Sequence, residues 1–111
     1  MKLPKNTVIA TEKLTNYLLV FKKRNDKSQW LAQAGYSAEN WQVLENDLRK
    51  QILSLDAQLS EITPYGQTYE IIGNLTGVNG KTIAVHTIWM TETATKITKF
   101  ITLYPEKGEI Q

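Results

Sequence analysis

The sequence contains no cysteine, which excludes disulfides, thiolate-held zinc and a cysteine nucleophile. Histidine occurs once, at His86, so a zinc site of the usual kind has too few ligands. No apolar run approaches the length of a membrane span, and the first residues lack the apolar stretch and small-residue cleavage site of a secretory leader. A cytoplasmic location away from membranes is therefore expected. Glycine-rich phosphate loops are missing as well, since Gly73, Gly77 and Gly80 sit at strand and turn positions and open no helix. A Ser-His-Asp triad lacks its strained serine turn, and no acidic pair is placed to hold magnesium. The acids Glu39, Glu45, Asp47 and Glu61 read instead as solvated surface residues. Neither sign of charge dominates: 13 Lys and Arg against 11 Asp and Glu leave +2, which permits a polyanionic partner without demanding one. No cofactor and no metal are expected.

What is present is the composition of an ordinary globular domain, 41% hydrophobic and 22% charged over 111 residues, read as a single domain over 1–111. Its organising stretch runs from Tyr65 to Pro105 as strand, turn, strand, loop, strand. The first strand is predicted over residues 67–75, where Thr68, Tyr69, Ile71 and Ile72 suit a pleated surface. Asn79-Gly80 then signals a tight reversal, because both residue types tolerate positive φ. The second strand follows over 81–90 and the third over 96–104, closed by Pro105. Short connections of this kind favour an antiparallel meander.

Alternation sorts the side chains. On the middle strand Ile83, Val85, Thr87 and Trp89 share one face and Ala84, His86, Ile88 and Met90 the other. Both faces are largely apolar, so the strand is expected to be central and His86 at least half buried. On the last strand Ile97, Ile101 and Leu103 are expected in the core, with Thr98, Phe100, Thr102 and Tyr104 on the opposite face.

Helical periodicity precedes the strands. Thr11 is a predicted N-cap for a helix to about residue 21 with Leu14, Tyr17, Leu18 and Phe21 on its apolar face. The basic run Lys22-Lys23-Arg24 follows and complements the helix dipole. A second helix, capped by Asn25, carries Lys27, Trp30, Leu31 and Ala34 until Gly35 stops it. Ser37 caps a third, over 38–55, with Trp41, Leu44, Leu48, Ile52 and Leu55 on one stripe. Thr7 to Ala10 is read as a small edge strand or packing segment, 56–63 as a connection pinned by Leu59 and Ile62, and 106–111 as a fraying tail. The expected class is α+β, with N-terminal helices packed on one face of a C-terminal antiparallel β-meander of three to four strands and the other face partly open.

One constellation has chemistry in it, although alternation alone places His86 on either the open face or the helix-covered one. His86, Thr102 and Tyr104 lie on neighbouring strands, and Lys27, Arg24 and Lys99 supply cations. Cleavage of RNA by its own 2′-hydroxyl needs a base, an acid and a cation for the phosphorane charge. Histidine serves either proton role, lysine or arginine holds the phosphate, and hydroxyls position it. Phe100 and Tyr104 are expected to stack on unpaired bases. Each residue also has a plainer reading: a lone strand histidine is more often structural, Thr102 fits a strand through β-propensity, and Tyr104 fits as packing.

Lys2-Leu3-Pro4, Glu12-Lys13-Leu14, Tyr17-Leu18-Leu19, Lys27 to Gly35-Tyr36, Trp41, Tyr65-Gly66, Gly73, Gly77, Asn79-Gly80, Val85, Thr87, Trp89 and Phe100 to Pro105 form an ordered set spanning nearly the whole chain. In that order they resemble an uncharacterised bacterial domain family. Its members are small freestanding proteins, common in cyanobacteria and found beside an antitoxin-like partner, or the C-terminal tips of larger secreted toxins. The family is similar to the metal-independent ribonuclease fold of barnase, EndoU, colicin-type nucleases and RelE toxins. The resemblance points to Lys27, His86 and Thr102 with Tyr104, and to a phosphate-facing cation at Lys99; the expected assignment is Lys27, His86 and Thr102 as catalytic residues and Arg24, Lys99, Tyr104 and Thr87 as substrate contacts. Relatives often carry arginine at the position of His86, which implies phosphate and charge stabilisation there with no obligatory proton transfer by the imidazole. The implied function is a toxin endoribonuclease that cleaves single-stranded RNA or tRNA to a 2′,3′-cyclic phosphate and is held by a cognate antitoxin protein. The alternative is a non-catalytic antitoxin or immunity-like interaction module, or an RNA-binding domain.

Overall fold

The computed structural model describes residues 1–20 and 27–106. Among the described residues, four strands form where β-branched and aromatic residues concentrate: β1 (Gln58–Ile62), β2 (Gly66–Thr76), β3 (Thr82–Glu92) and β4 (Thr98–Pro105). They pair antiparallel in the order β1-β2-β3-β4, so the chain is an α+β protein built on a meander. β2 and β3 pair without interruption from Gly66 opposite Glu92 to Thr76 opposite Thr82.

The reversal between them differs from the expected one in detail. Among the described residues Lys96 is the only non-glycine at positive φ, so of Asn79-Gly80 it is Gly80 alone, at φ 85°, that uses the left-handed region. Asn79 works through its side chain. Its Oδ1 accepts from the Lys81 amide at 3.0 Å, and its Nδ2 donates to the Gln33 carbonyl at 2.8 Å.

Two departures from the expected strands matter for the site. Residues 58–62, expected to be connection, are an edge strand with every side chain exposed. With no buried face, only backbone pairing to β2 reveals it, and that pairing slips between Leu59 and Glu61. On β4, Ile88 pairs with Thr102 and the next residue, Trp89, pairs with Phe100. Ile101 is thus an extra residue, a bulge that changes the phase of alternation. Thr98, Phe100 and Leu103 consequently point into the core, whereas Ile97 is exposed. The placement of Phe100 on the open face is corrected: it is 1% exposed and packs edge-on against Trp89 at 5.1 Å. Val8 forms a parallel bridge with Lys99, its N–H donating to Thr98 O at 2.9 Å, and so covers the outer edge of β4.

Among the described residues, three helical segments come before the sheet. The first, α1, is α-helical over Thr11–Lys13 and widens to π geometry over Leu14–Leu18, closed by the Leu19 amide on the Leu14 carbonyl at 2.9 Å. Ala10, not Thr11, holds the N-cap position. α2 is Ser28–Ala32, and its last carbonyls bond back from Gly35 and Tyr36, with Gly35 at φ 91° as expected. α3 begins as a 3₁₀ turn over Ala38–Asn40, continues as α-helix over Trp41–Asp47 and ends as π-helix over Leu48–Ile52. Ser37 starts it, its amide donating to Asn40 Oδ1 at 2.7 Å. The π turn adds a residue, so Leu53 is buried after Ile52 and Leu55 is partly exposed. Phe21 and Asn25 lie outside the described residues.

One core joins Leu14, Leu18, Leu31, Leu44, Leu48 and Ile52 from the helical segments to Ile71, Leu75, Ile83, Val85, Trp89, Phe100 and Leu103 from the sheet. Among the described residues no helix is long and apolar enough to cross a membrane.

Candidate functional site

The face of β3 turned away from that core carries Ala84, His86, Ile88 and Met90. Register sets His86 between Ile72 of β2 and Tyr104 of β4. The imidazole and the Tyr104 ring stack with centroids 4.7 Å apart and planes 26° from parallel. Glu70, two residues from Ile72 on the same face, reaches diagonally so that its Oε2 lies 3.0 Å from His86 Nε2. An ionised carboxylate only accepts, so Nε2 carries the hydrogen of this bond. On the other side of the ring, Glu106 Oε2 lies 3.8 Å from Nδ1, and the Glu106 amide is fixed to the Ala84 carbonyl at 3.1 Å. The His86 side chain is 16% exposed.

The two carboxylates address opposite ring nitrogens and do not converge on one point. Among the described residues no three His, Cys, Asp or Glu side chains are grouped to hold a metal ion.

Lys27 enters from the helical half of the chain. It occupies the N-cap position of α2, and its Nζ donates to Thr102 Oγ1 at 3.1 Å. The same ammonium lies 5.4 Å from the ring centre of Tyr17 and 5.9 Å from that of Tyr104, a cation held by two aromatic rings. Tyr104 therefore links the two groups, lying near Lys27 and stacked on His86. Beyond Glu70 the surface dips into a pocket of about 130 Å³ lined by Asp56, Gln58, Glu70 and Ile72.

Residues 2–107 match the family model described as Domain of unknown function (DUF6883). The chain belongs to that family. The DUF6883 match takes in every member of the group above, from Tyr17 to Glu106. Neither the curated proteins nor the solved structures contain a match to the chain.

Of the residues expected at the site from sequence, Lys27, His86, Thr102 and Tyr104 come together in this DUF6883 domain, and two others do not. Thr87 is corrected from substrate contact to core residue: it is 0% exposed, donates to the Ile71 carbonyl at 2.8 Å and accepts from Trp89 Nε1 at 2.7 Å. Adjacent strand residues point to opposite faces, so Thr87 cannot share the surface of His86. Lys99 pairs with Met90, four strand residues from His86 or about 13 Å, and its Nζ donates to Glu92 Oε2 at 2.8 Å. Hydrogen bonds from Lys99 and Thr95 hold the Glu92 carboxyl below the usual carboxylate range. Lys99 is committed there, at the far end of the sheet. Arg24 lies outside the described residues.

Sequence reasoning missed Glu70, Glu106 and Tyr17. For Glu70 a signal existed: register counted back from the turn at Gly80 puts Ile72 beside His86 and Glu70 diagonal to it. Tyr17 was read as core but is 41% exposed, because the π turn rotates it off the buried stripe. Glu106 was read as fraying tail, and no local pattern marks it as a partner of His86.

Proposed function

We propose that the chain is a metal-independent endoribonuclease, the toxin component of a bacterial toxin–antitoxin or polymorphic toxin system, cleaving RNA to a 2′,3′-cyclic phosphate. In this reading the helical segments cover one face of the sheet, the opposite face receives RNA, and the protein acts in the cytoplasm under control of a cognate antitoxin protein. The observation that carries it is a carboxylate and an imidazole 3.0 Å apart on the same face as an ammonium bonded to a threonine hydroxyl.

Glu70 takes the proton of the 2′-hydroxyl as its oxygen attacks phosphorus, and His86, entering the step with both ring nitrogens protonated, gives one proton to the 5′-oxygen as its bond to phosphorus breaks. Lys27, steadied by Thr102, faces the charge that builds on the non-bridging oxygens. Tyr104 and Tyr17 offer ring faces to the flanking bases. A carboxylate and imidazole this close reach the attacking and leaving oxygens of a single phosphodiester.

The test is incubation of purified, partner-free protein with total RNA and tRNA in excess EDTA. Wild type is expected to yield products ending in cyclic phosphate. His86→Ala, Glu70→Gln and Lys27→Ala are each expected to lose about 100-fold or more while melting as folded proteins. Intact RNA with wild type, or full cleavage by all three variants, overturns the reading.

A second reading draws on the same ring's enclosure by Glu70, Glu106 and Tyr104. In it the chain is a non-catalytic antitoxin or immunity-like module and His86 is structural. His86→Ala would then lower stability, with RNA untouched throughout.

A further inference from the structure

A second concavity lies between the N-terminal residues and the end of α3, with a volume of about 470 Å³. Lys2, Leu3, Lys5, Arg49, Leu53 and Ser54 line it. Its floor is apolar, with Leu3 and Leu53 each 5% exposed, and the alkyl stems of the basic residues extend that surface to the rim. Every ionisable side chain in the lining is a cation.

Two of these cations are held in place. Lys2 Nζ donates to the Ser54 carbonyl at 2.8 Å and lies 3.7 Å from Asp56. Arg49 donates to the Thr7 carbonyl at 2.8 Å and to Glu45 at 3.4 Å. Lys5 is exposed and has no side-chain hydrogen bond or ion pair among the described residues. Its charge is therefore the one left for a ligand.

We propose that this cleft binds a small amphiphilic anion, an alkyl carboxylate of medium chain length, with its tail on Leu3 and Leu53 and its carboxylate on Lys5 and the remaining N–H donors of Arg49. The volume falls within the roughly 300–1,000 Å³ of small-molecule sites, which are likewise mostly apolar with a few placed charges. The all-cationic lining selects the sign of the head group. The inference is independent of RNA cleavage, whose residues lie elsewhere.

The experiment is an amide NMR titration of the full chain with hexanoate, octanoate and decanoate, and with decyltrimethylammonium as the sign-reversed control. Saturable shifts are expected at Leu3, Lys5, Leu53 and Ser54, tightening about fourfold per added methylene. The quaternary amine should leave these amides in place. Lys5→Glu should weaken decanoate about tenfold without moving the melting temperature or the His86 neighbourhood.

Sedimentation with phosphatidylglycerol vesicles separates the sources of the anion. Binding to decanoate alone assigns the cleft to a free carboxylate, whereas vesicle binding lost in Lys5→Glu assigns it to a lipid head group. Equal binding of the quaternary amine, no dependence on chain length, or unchanged decanoate affinity in Lys5→Glu overturns the proposal.

Discussion

Thr87 and Tyr36 show how buried polar side chains are made compatible with a core. The Thr87 hydroxyl donates to one strand carbonyl and accepts the Trp89 indole N–H, so both capacities are used where no water reaches. Thr87→Val keeps the shape but strands the indole donor and removes the hydroxyl's bond to the Ile71 carbonyl, which keeps its ladder pairing with β3. We expect a loss of about 1–3 kcal/mol in urea unfolding, with the proposed RNA cleavage unchanged per folded molecule. Tyr36, buried under α3, donates its hydroxyl to Asp47 Oδ2 at 2.7 Å. Burial and the Asp47 carboxylate together push its phenol far above the ordinary tyrosine value. In the unfolded chain that phenol ionises near pH 10, so the folded state holds the proton where the unfolded state has released it. Stability from Tyr36 is therefore complete below about pH 10 and falls as pH rises past it. Tyr36→Phe should cost about 1.5–3 kcal/mol at neutral pH and flatten the alkaline limb of a stability profile between about pH 9 and 11.

At the level of elements, the loop between β2 and β3 does more than reverse the chain. It docks on the end of α2, where Asn79 Nδ2 reaches the Gln33 carbonyl and Gly77 passes so close to Ala34 that a Cβ there would fall 1.9 Å from the Ala34 carbonyl oxygen. That oxygen belongs to a helix end and cannot rotate away. Gly77→Ala should therefore cost about 3 kcal/mol by forcing loop and helix apart. Gly80→Ala meets nothing within 4 Å and should cost only about 1 kcal/mol, from its left-handed backbone. Urea midpoints of the two variants test the order, and a Gly80→Ala loss equal to or above that of Gly77→Ala would refute the docking account. The bulge at Ile101 is an equally local event with wide reach, since it leaves Phe100 in the core and lets Thr102 and Tyr104 meet Lys27 and His86.

For the whole molecule, charge sets how RNA would be held under the proposed function. With a net charge of +2 and Lys99 neutralised by Glu92, Lys27 is the cation beside His86 and Tyr104, among the described residues, that faces a phosphate in this reading. Single-strand affinity should then depend weakly on salt, with a log–log slope near −0.7 per neutralised phosphate. Fluorescence anisotropy with the His86→Ala variant and a labelled oligonucleotide measures it, and a slope of about −3 or steeper would point to a broad basic face instead. The α+β class, the three long strands, the turn at Gly80, the helix stop at Gly35 and the central position of His86 were legible in the sequence, because alternation, propensity and turn chemistry are written within a few consecutive residues. Four of the expected site residues, Lys27, His86, Thr102 and Tyr104, were legible for the same reason or through family resemblance. The edge strand at 58–62, the turning of Phe100 into the core, the burial of Thr87's hydroxyl and the closing of Glu106 on His86 were decided by tertiary structure alone. Each depends on pairing and packing between distant segments, as when Lys27 meets Thr102 from 75 residues away, and no local pattern carries that information.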